Sequence, residues 1–288
     1  MSTVTAKGSS DVLGRPKSNV NVEISLPMYA LPEMEDANSA FLAALQQRLR
    51  VKGIDTAEAT PAISSGSKFE GDRPGILFTQ ICGYPLFKYQ REHYRMLATP
   101  HYALPGCEES RHRAFFMVRA DDPAKYLEEL SGRIFGCNSS LSNSGMNLPR
   151  LSLARVAGGK SFFASTVMTG AHVASLERLE EGSIDSCSID NVTWGFFKKF
   201  RPAAAERYRI LAETAASPSP PFVTSANTAE SDVRAITDTL YEIMNDPCIA
   251  SIREVLELRE LSAPDVAAYE RLAQYERKAA ELGYPEIK

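Results

Sequence analysis

The sequence predicts an α/β protein with parallel sheets. Three observations carry that expectation. Short apolar runs alternate with stretches of helical periodicity, small or polar turns separate them, and polar side chains gather where the apolar runs end. At 288 residues the chain has room for two lobes, since domains mostly hold roughly 100–200 residues.

Taken in order, residues 1–20 are polar and rich in Ser, Thr and Lys, and disorder is expected there. Residues 22–26 read as a first strand. Phe41, Ala44, Leu45 and Leu49 recur at helical spacing, and Gly53 closes that helix. Residues 75–80 form a buried strand that breaks at Cys82-Gly83-Tyr84-Pro85. Strands follow at 94–99 and 114–118, and Asp121-Asp122-Pro123 opens a helix ending near Leu130. Residues 133–137 are the next strand and 146–157 the helix behind it. Strand 162–168 leads to a helix with Val173, Leu176 and Leu179 on one face. Strand 184–189 ends at Asp190, and the helix over 192–200 breaks at Arg201-Pro202. Residues 208–213 are a strand and 215–221 a Pro/Ser-rich connector. The tail is helical: Val233, Ile236, Leu240, Ile243 and Met244 share a face, and a last helix spans about 264–282.

Composition narrows the function classes. With 44% apolar and 24% charged residues and a net charge of −4, the chain offers no general attraction to nucleic acid or an anionic membrane. No apolar run approaches the length of a membrane span. The five cysteines, Cys82, Cys107, Cys137, Cys187 and Cys248, lack metal-ligand spacing and read as reduced thiols. No G-x-G-x-x-G, P-loop or metal cluster implies a cofactor. Residues 1–21 lack an apolar segment of secretory type, so a cytoplasmic chain is expected as written.

The most informative stretch runs from Asn138 to Asn147, at the turn between strand 133–137 and its helix. Ser and Asn cap helices because a side-chain oxygen accepts a first-turn N–H. The remaining N–H groups and the helix dipole suit an anion. Ser142, Asn143, Ser144 and Gly145 therefore read as an oxyanion cradle, with Gly145 allowing close approach of a ligand. The alternative is an ordinary polar loop. Tyr29, Tyr84, His172 and Asp190 also fall at strand ends, where open α/β sheets bind ligands. Each has a plainer reading: ring packing for the tyrosines, a structural histidine, and a helix N-cap for Asp190.

These residues lie in blocks that resemble the phosphonate/phosphate-type substrate-binding proteins of ABC transporters. The blocks are Leu26-Pro27-Met28-Tyr29, then Thr79 to Leu86, then Thr99-Pro100-His101-Tyr102 with Pro105-Gly106-Cys107. Ser142-Asn143-Ser144-Gly145, Thr169-Gly170-Ala171-His172 with Ala174-Ser175-Leu176, and Ile189 to Trp194 complete the series. The resemblance spans roughly residues 22–225. It implies a type 2 periplasmic-binding-protein fold, with ligand held between two α/β lobes, each a mainly parallel sheet flanked by helices. Lobe one would comprise residues 21–104 and 209–288, with the C-terminal helices, and lobe two 105–208.

The resemblance also implies residue roles. Ser142, Asn143 and Ser144 would hold a phosphonate-like oxyanion with His172. Asp190 would stand on the cleft wall, and Tyr29 and Tyr84 would line it. Cys82 and Cys107 fall at loop positions the family also uses, so a pair is conceivable in an oxidising compartment. Pro149 departs from the helix formers of relatives. The implied function is a monomeric solute-binding protein that closes on a phosphonate, phosphate or phosphite-like ligand and serves an ABC permease, in the periplasm. The alternatives are a cytoplasmic enzyme on the same fold, with His172 as acid/base assisted by Asp190 or Tyr84, and a ligand-sensing module.

Overall fold

Two sheets, each covered by helices, form the molecule; the computed structural model describes residues 23–56, 61–62 and 75–288. The disorder expected over residues 1–20 lies outside the described residues. Strand β1 (Glu23–Ser25) leads through a 3-10 turn to helix α1 (Glu35–Val51). After β2 (Pro61–Ala62) come β3 (Ile76–Gln80), α2 (Gly83–Tyr89) and β4 (Tyr94–Tyr102). A short strand β5 (Arg111–His112) precedes β6 (Ala114–Arg119) and β7 (Ile134–Cys137). Then follow α3 (Leu148–Ala157), β8 (Ser165–Met168), α4 (His172–Glu180), β9 (Ser186–Asp190), α5 (Asn191–Phe200) and α6 (Pro202–Ala205). The chain continues through β10 (Tyr208–Glu213), β11 (Ser217–Pro218), β12 (Phe222–Ser225), α7 (Glu230–Asn245), α8 (Ala250–Val255), β13 (Leu258–Ser262) and α9 (Val266–Glu281).

The first sheet has the order β13-β4-β12-β3-β1-β2 and the second β10-β6-β9-β7-β8. Both are mixed rather than mainly parallel. β1 runs parallel to β2 and β3, and β7 to β8 and β9, whereas β12, β13, β6 and β10 pair antiparallel. Crossing chains cause this: β6 enters the second sheet from the first lobe and β10 leaves it. The boundary expected at residue 209 therefore moves, because Tyr208–Glu213 pairs with β6 inside lobe two. Between the lobes, β5 and β11 form a two-stranded ribbon in which Ser217 faces His112.

Helical periodicity predicts the buried faces well. Phe41, Ala44, Leu45 and Leu49 of α1 are buried, as are Val233, Ile236, Leu240, Ile243 and Met244 of α7. Strand periodicity splits β6 across two cores: Phe116 and Val118 pack on one side of the second sheet, Phe115 and Met117 on the other. Trp194 is core, stacked on Phe197.

Several local expectations change. The strand ends before Cys82-Gly83-Tyr84-Pro85 as expected, but that stretch also begins a helix, because Pro85 falls in a first turn whose N–H groups need no intrahelical partner. The helix expected over 121–130 shrinks to a 3-10 turn at Leu127–Leu130. Asp122 there bonds the Ala124 N–H and Arg133, holding the segment as a turn. α9 packs against α2 of the first lobe and also against α3 of the second. Tyr284 and Ile287 beyond it fill the second lobe's core, and the Lys288 carbonyl accepts from the Phe162 and Phe163 N–H groups. No described helix is long and apolar enough to cross a membrane.

Candidate ligand-binding cleft

The turn after β7 is a single π-helical turn, Asn143–Asn147, that runs directly into α3. Ser142 is its N-cap: its Oγ accepts the Gly145 N–H at 2.9 Å. Pro149 sits at the start of α3, and the Ser144 and Gly145 carbonyls that its missing N–H leaves open are taken by side chains. The turn is anchored from below. Ser188 Oγ of β9 donates to the Ser144 carbonyl at 2.7 Å, and the Cys137 thiol donates to the Gly145 carbonyl at 3.2 Å.

Gly145 is required for a reason other than ligand approach. A Cβ there would fall 1.7 Å from Asn138 Oδ1 and 3.2 Å from Ser142 Oγ. The glycine makes room for the side chains that shape the turn.

Two histidines meet this turn. His172, first residue of α4, holds Nε2 3.0 Å from Ser144 Oγ, and its Nδ1 is buried without a hydrogen-bond partner. Burial pushes the His172 pKa down, against the pull of Asp190, so the ring is neutral. The second is His112, on the interlobe ribbon. Its Nδ1 lies 2.7 Å from Asp190 Oδ2, and its Nε2 lies 3.5 Å from Asn143 Nδ2. Asn143 Nδ2 also donates to Ser217 Oγ at 2.9 Å, so the cradle touches both crossing strands.

Asp190 is the N-cap of α5, as its position suggested: Oδ1 accepts the N–H groups of Val192 and Thr193 at 2.9 and 3.2 Å. Burial alone would raise its pKa, but His112 and the Thr193 N–H outweigh that and hold the carboxyl below its ordinary range.

From the first lobe, Cys82 Sγ accepts the Asn143 N–H at 3.3 Å, closing one lobe onto the other. Burial raises this thiol to about 11, so it stays protonated. Cys82 and Cys107 are not paired; Cys107 Sγ instead accepts from Asn191 Nδ2 at 3.1 Å. Tyr29 stands nearby, its ring edge-on to Tyr102 and its hydroxyl buried without a partner. Burial and the charge of Asp190 raise its pKa, so it remains a phenol donor.

Ser142, Asn143, Ser144, Gly145, His172 and Asp190 thus come together, with Tyr29 within the electrostatic reach of Asp190. Tyr84 does not join them. Its ring packs with Tyr269 and Leu272, and its hydroxyl donates to Glu276 at 2.8 Å on α9. His112 and Ser217 escaped sequence reading because their partners are distant in the chain. The signal for His112 is topological: Ala114 pairs with Asp190 across β6 and β9, which leaves His112 beside that carboxylate.

Two lobes, a crossing ribbon and polar groups gathered where the lobes meet define the class of two-lobed periplasmic binding proteins. The chain belongs to the family of phosphonate periplasmic substrate-binding proteins of ABC transporters, whose model matches residues 25–269. No curated protein is similar to it by sequence. Among solved structures, a binding-protein component of an ABC phosphonate transporter from Pseudomonas aeruginosa aligns with a TM-score of 0.74 at 14% identity, covering 91% of this chain and 88% of that one. PhnD1 from Prochlorococcus marinus, in complex with methylphosphonate, gives 0.74 at 12% identity, covering 90% and 98%. A Xanthomonas citri protein bound to ATP gives 0.67 at 17%, covering 90% and 98%. At these identities the structures speak for the fold alone.

The family is periplasmic and consists of transport components. The expectation of a cytoplasmic chain gains no support from it, and neither does the enzyme alternative.

Proposed function

We propose that this protein binds a small oxyanion of phosphonate, phosphate or phosphite type between its lobes, as a monomer in the periplasm, and delivers it to an ABC permease. The observation that carries the reading is the capped, anchored turn at Asn143–Asn147, with Ser144 Oγ against His172 Nε2 and lobe one seated on it through Cys82. The anion would sit at the head of α3, where N–H groups and the helix dipole favour negative charge. Ser144 would supply a donor from lobe two, with Asn143 and Gly145 shaping the turn through the bonds they already make, and Tyr29 would supply a phenol from lobe one. His172 Nδ1, buried and unpartnered, is a further group a ligand would satisfy. Neutral donors select by geometry rather than net charge. The methylphosphonate held by the Prochlorococcus marinus protein is the first ligand to try.

A thermal-shift screen tests this. A ligand at 100 times its dissociation constant stabilises by about 2.7 kcal/mol. Methylphosphonate, phosphite or phosphate should raise the melting temperature while sulfonates and neutral alcohols do not. No response to any of the three oxyanions would refute the reading.

A further inference from the structure

We infer that His112 sets the ligand class of the cleft: by occupying Asp190 it restricts the site to oxyanions whose organic substituent carries no ammonium group. The inference rests on the oxyanion-binding reading above and narrows it.

Asp190 is largely occupied by partners within the protein. It is a buried carboxylate beside the cradle, at 3% exposure. Its charge reaches Tyr29, Cys82 and His172, so it is the natural counter-ion for any cation entering the cleft. Yet both oxygens are engaged, Oδ1 by two N–H groups of α5 and Oδ2 by His112 Nδ1. A carboxylate offers about four lone-pair sites, and three are filled here. Displacing His112 is hindered because it is 2% exposed and fixed by the ribbon pairing with Ser217.

His112 has a second effect with the same direction. A bare buried carboxylate near the cradle would repel an incoming anion, and the histidine partner offsets that repulsion. An ammonium-bearing phosphonate would therefore gain little at Asp190 and would lose the water that solvates its cation.

Titration calorimetry at one pH with methylphosphonate and 2-aminoethylphosphonate decides the matter. An uncompensated polar group costs about 1.5–3 kcal/mol when charged, so the wild-type protein should prefer methylphosphonate by about 10–100-fold. His112→Ala exposes Asp190 and should lower that preference by about tenfold or more. His112→Asn, which keeps an amide donor near the Nδ1 position, should stay close to wild type. Melting curves of each variant report its folding, and the wild-type ratio decides alone if His112→Ala does not fold. Equal or tighter binding of 2-aminoethylphosphonate by the wild type overturns the inference and leaves the oxyanion reading standing. An unchanged ratio in folded His112→Ala overturns the role of His112. Failure of both compounds to bind overturns the oxyanion reading, and the inference with it.

Discussion

Asp190 and His172 lie in the same buried cleft and answer burial differently. Desolvation opposes the charged form of each. Asp190 stays ionised because two helix N–H groups and His112 compensate its charge. For His172, at the head of α4 with its Nε2 on a serine hydroxyl, burial outweighs the upward pull of Asp190 and the Ser188 backbone, and its pKa falls. The sign of the linkage follows. Folded His172 refuses a proton that the unfolded chain takes near the ordinary value of 6.5. Its contribution to stability is thus full above that value and is lost as pH falls below it. Melting temperatures from pH 7.5 down to 5.5 should fall less steeply for His172→Gln than for the wild type. Equal slopes would place the pH dependence elsewhere. At this scale the sequence was readable where a residue acts locally, as in the Asp190 cap. It was unreadable where the partner is remote, as for His112, whose carboxylate lies 78 residues away.

Elements show the same division. The buried faces of α1 and α7 follow from 3.6-residue periodicity and were legible at once. β13, with the sequence Leu258-Arg259-Glu260-Leu261-Ser262, carries charge along a sheet edge and gives no apolar run to find. α2 hid behind Gly83 and Pro85, two residues that end helices in their interior and are tolerated in the first turn. The cradle was legible as a turn, but the need for Gly145 was not, since it comes from Asn138 folding over it. Gly145→Ala must displace Asn138 or the Ser142 cap, and overpacking of that kind costs about 1–3 kcal/mol. Urea denaturation should show a lower midpoint with an unchanged slope. A midpoint equal to the wild type would mean that Asn138 swings aside freely and does not shape the turn.

The two-lobed architecture follows from the order of elements, and the residues that resemble the family made it legible across most of the chain. What stayed hidden is how the lobes are joined. α5 buries Val192 and Phe196 in the first lobe's core and Trp194 and Phe197 in the second's. α9 lies against both lobes, where Glu276 links Lys88 and Tyr84 of α2 to Arg150 of α3. Asn147 connects this network to the cradle through Asn143 and Arg150. These contacts pair residues from opposite ends of the chain, which no local pattern announces. They make the cradle part of a surface that both lobes share, so a ligand there bears on closure as well as on recognition.

The central claim is that an oxyanion is held at the head of α3 with Ser144 as a donor. Titration of the wild type and Ser144→Ala with methylphosphonate by calorimetry tests it most directly, with circular dichroism to show that both are folded. One hydrogen bond to a charged group is worth about 1.5–3 kcal/mol. The account predicts an affinity about 10–100-fold lower for the variant with its fold intact. Equal affinities in two folded proteins would contradict it.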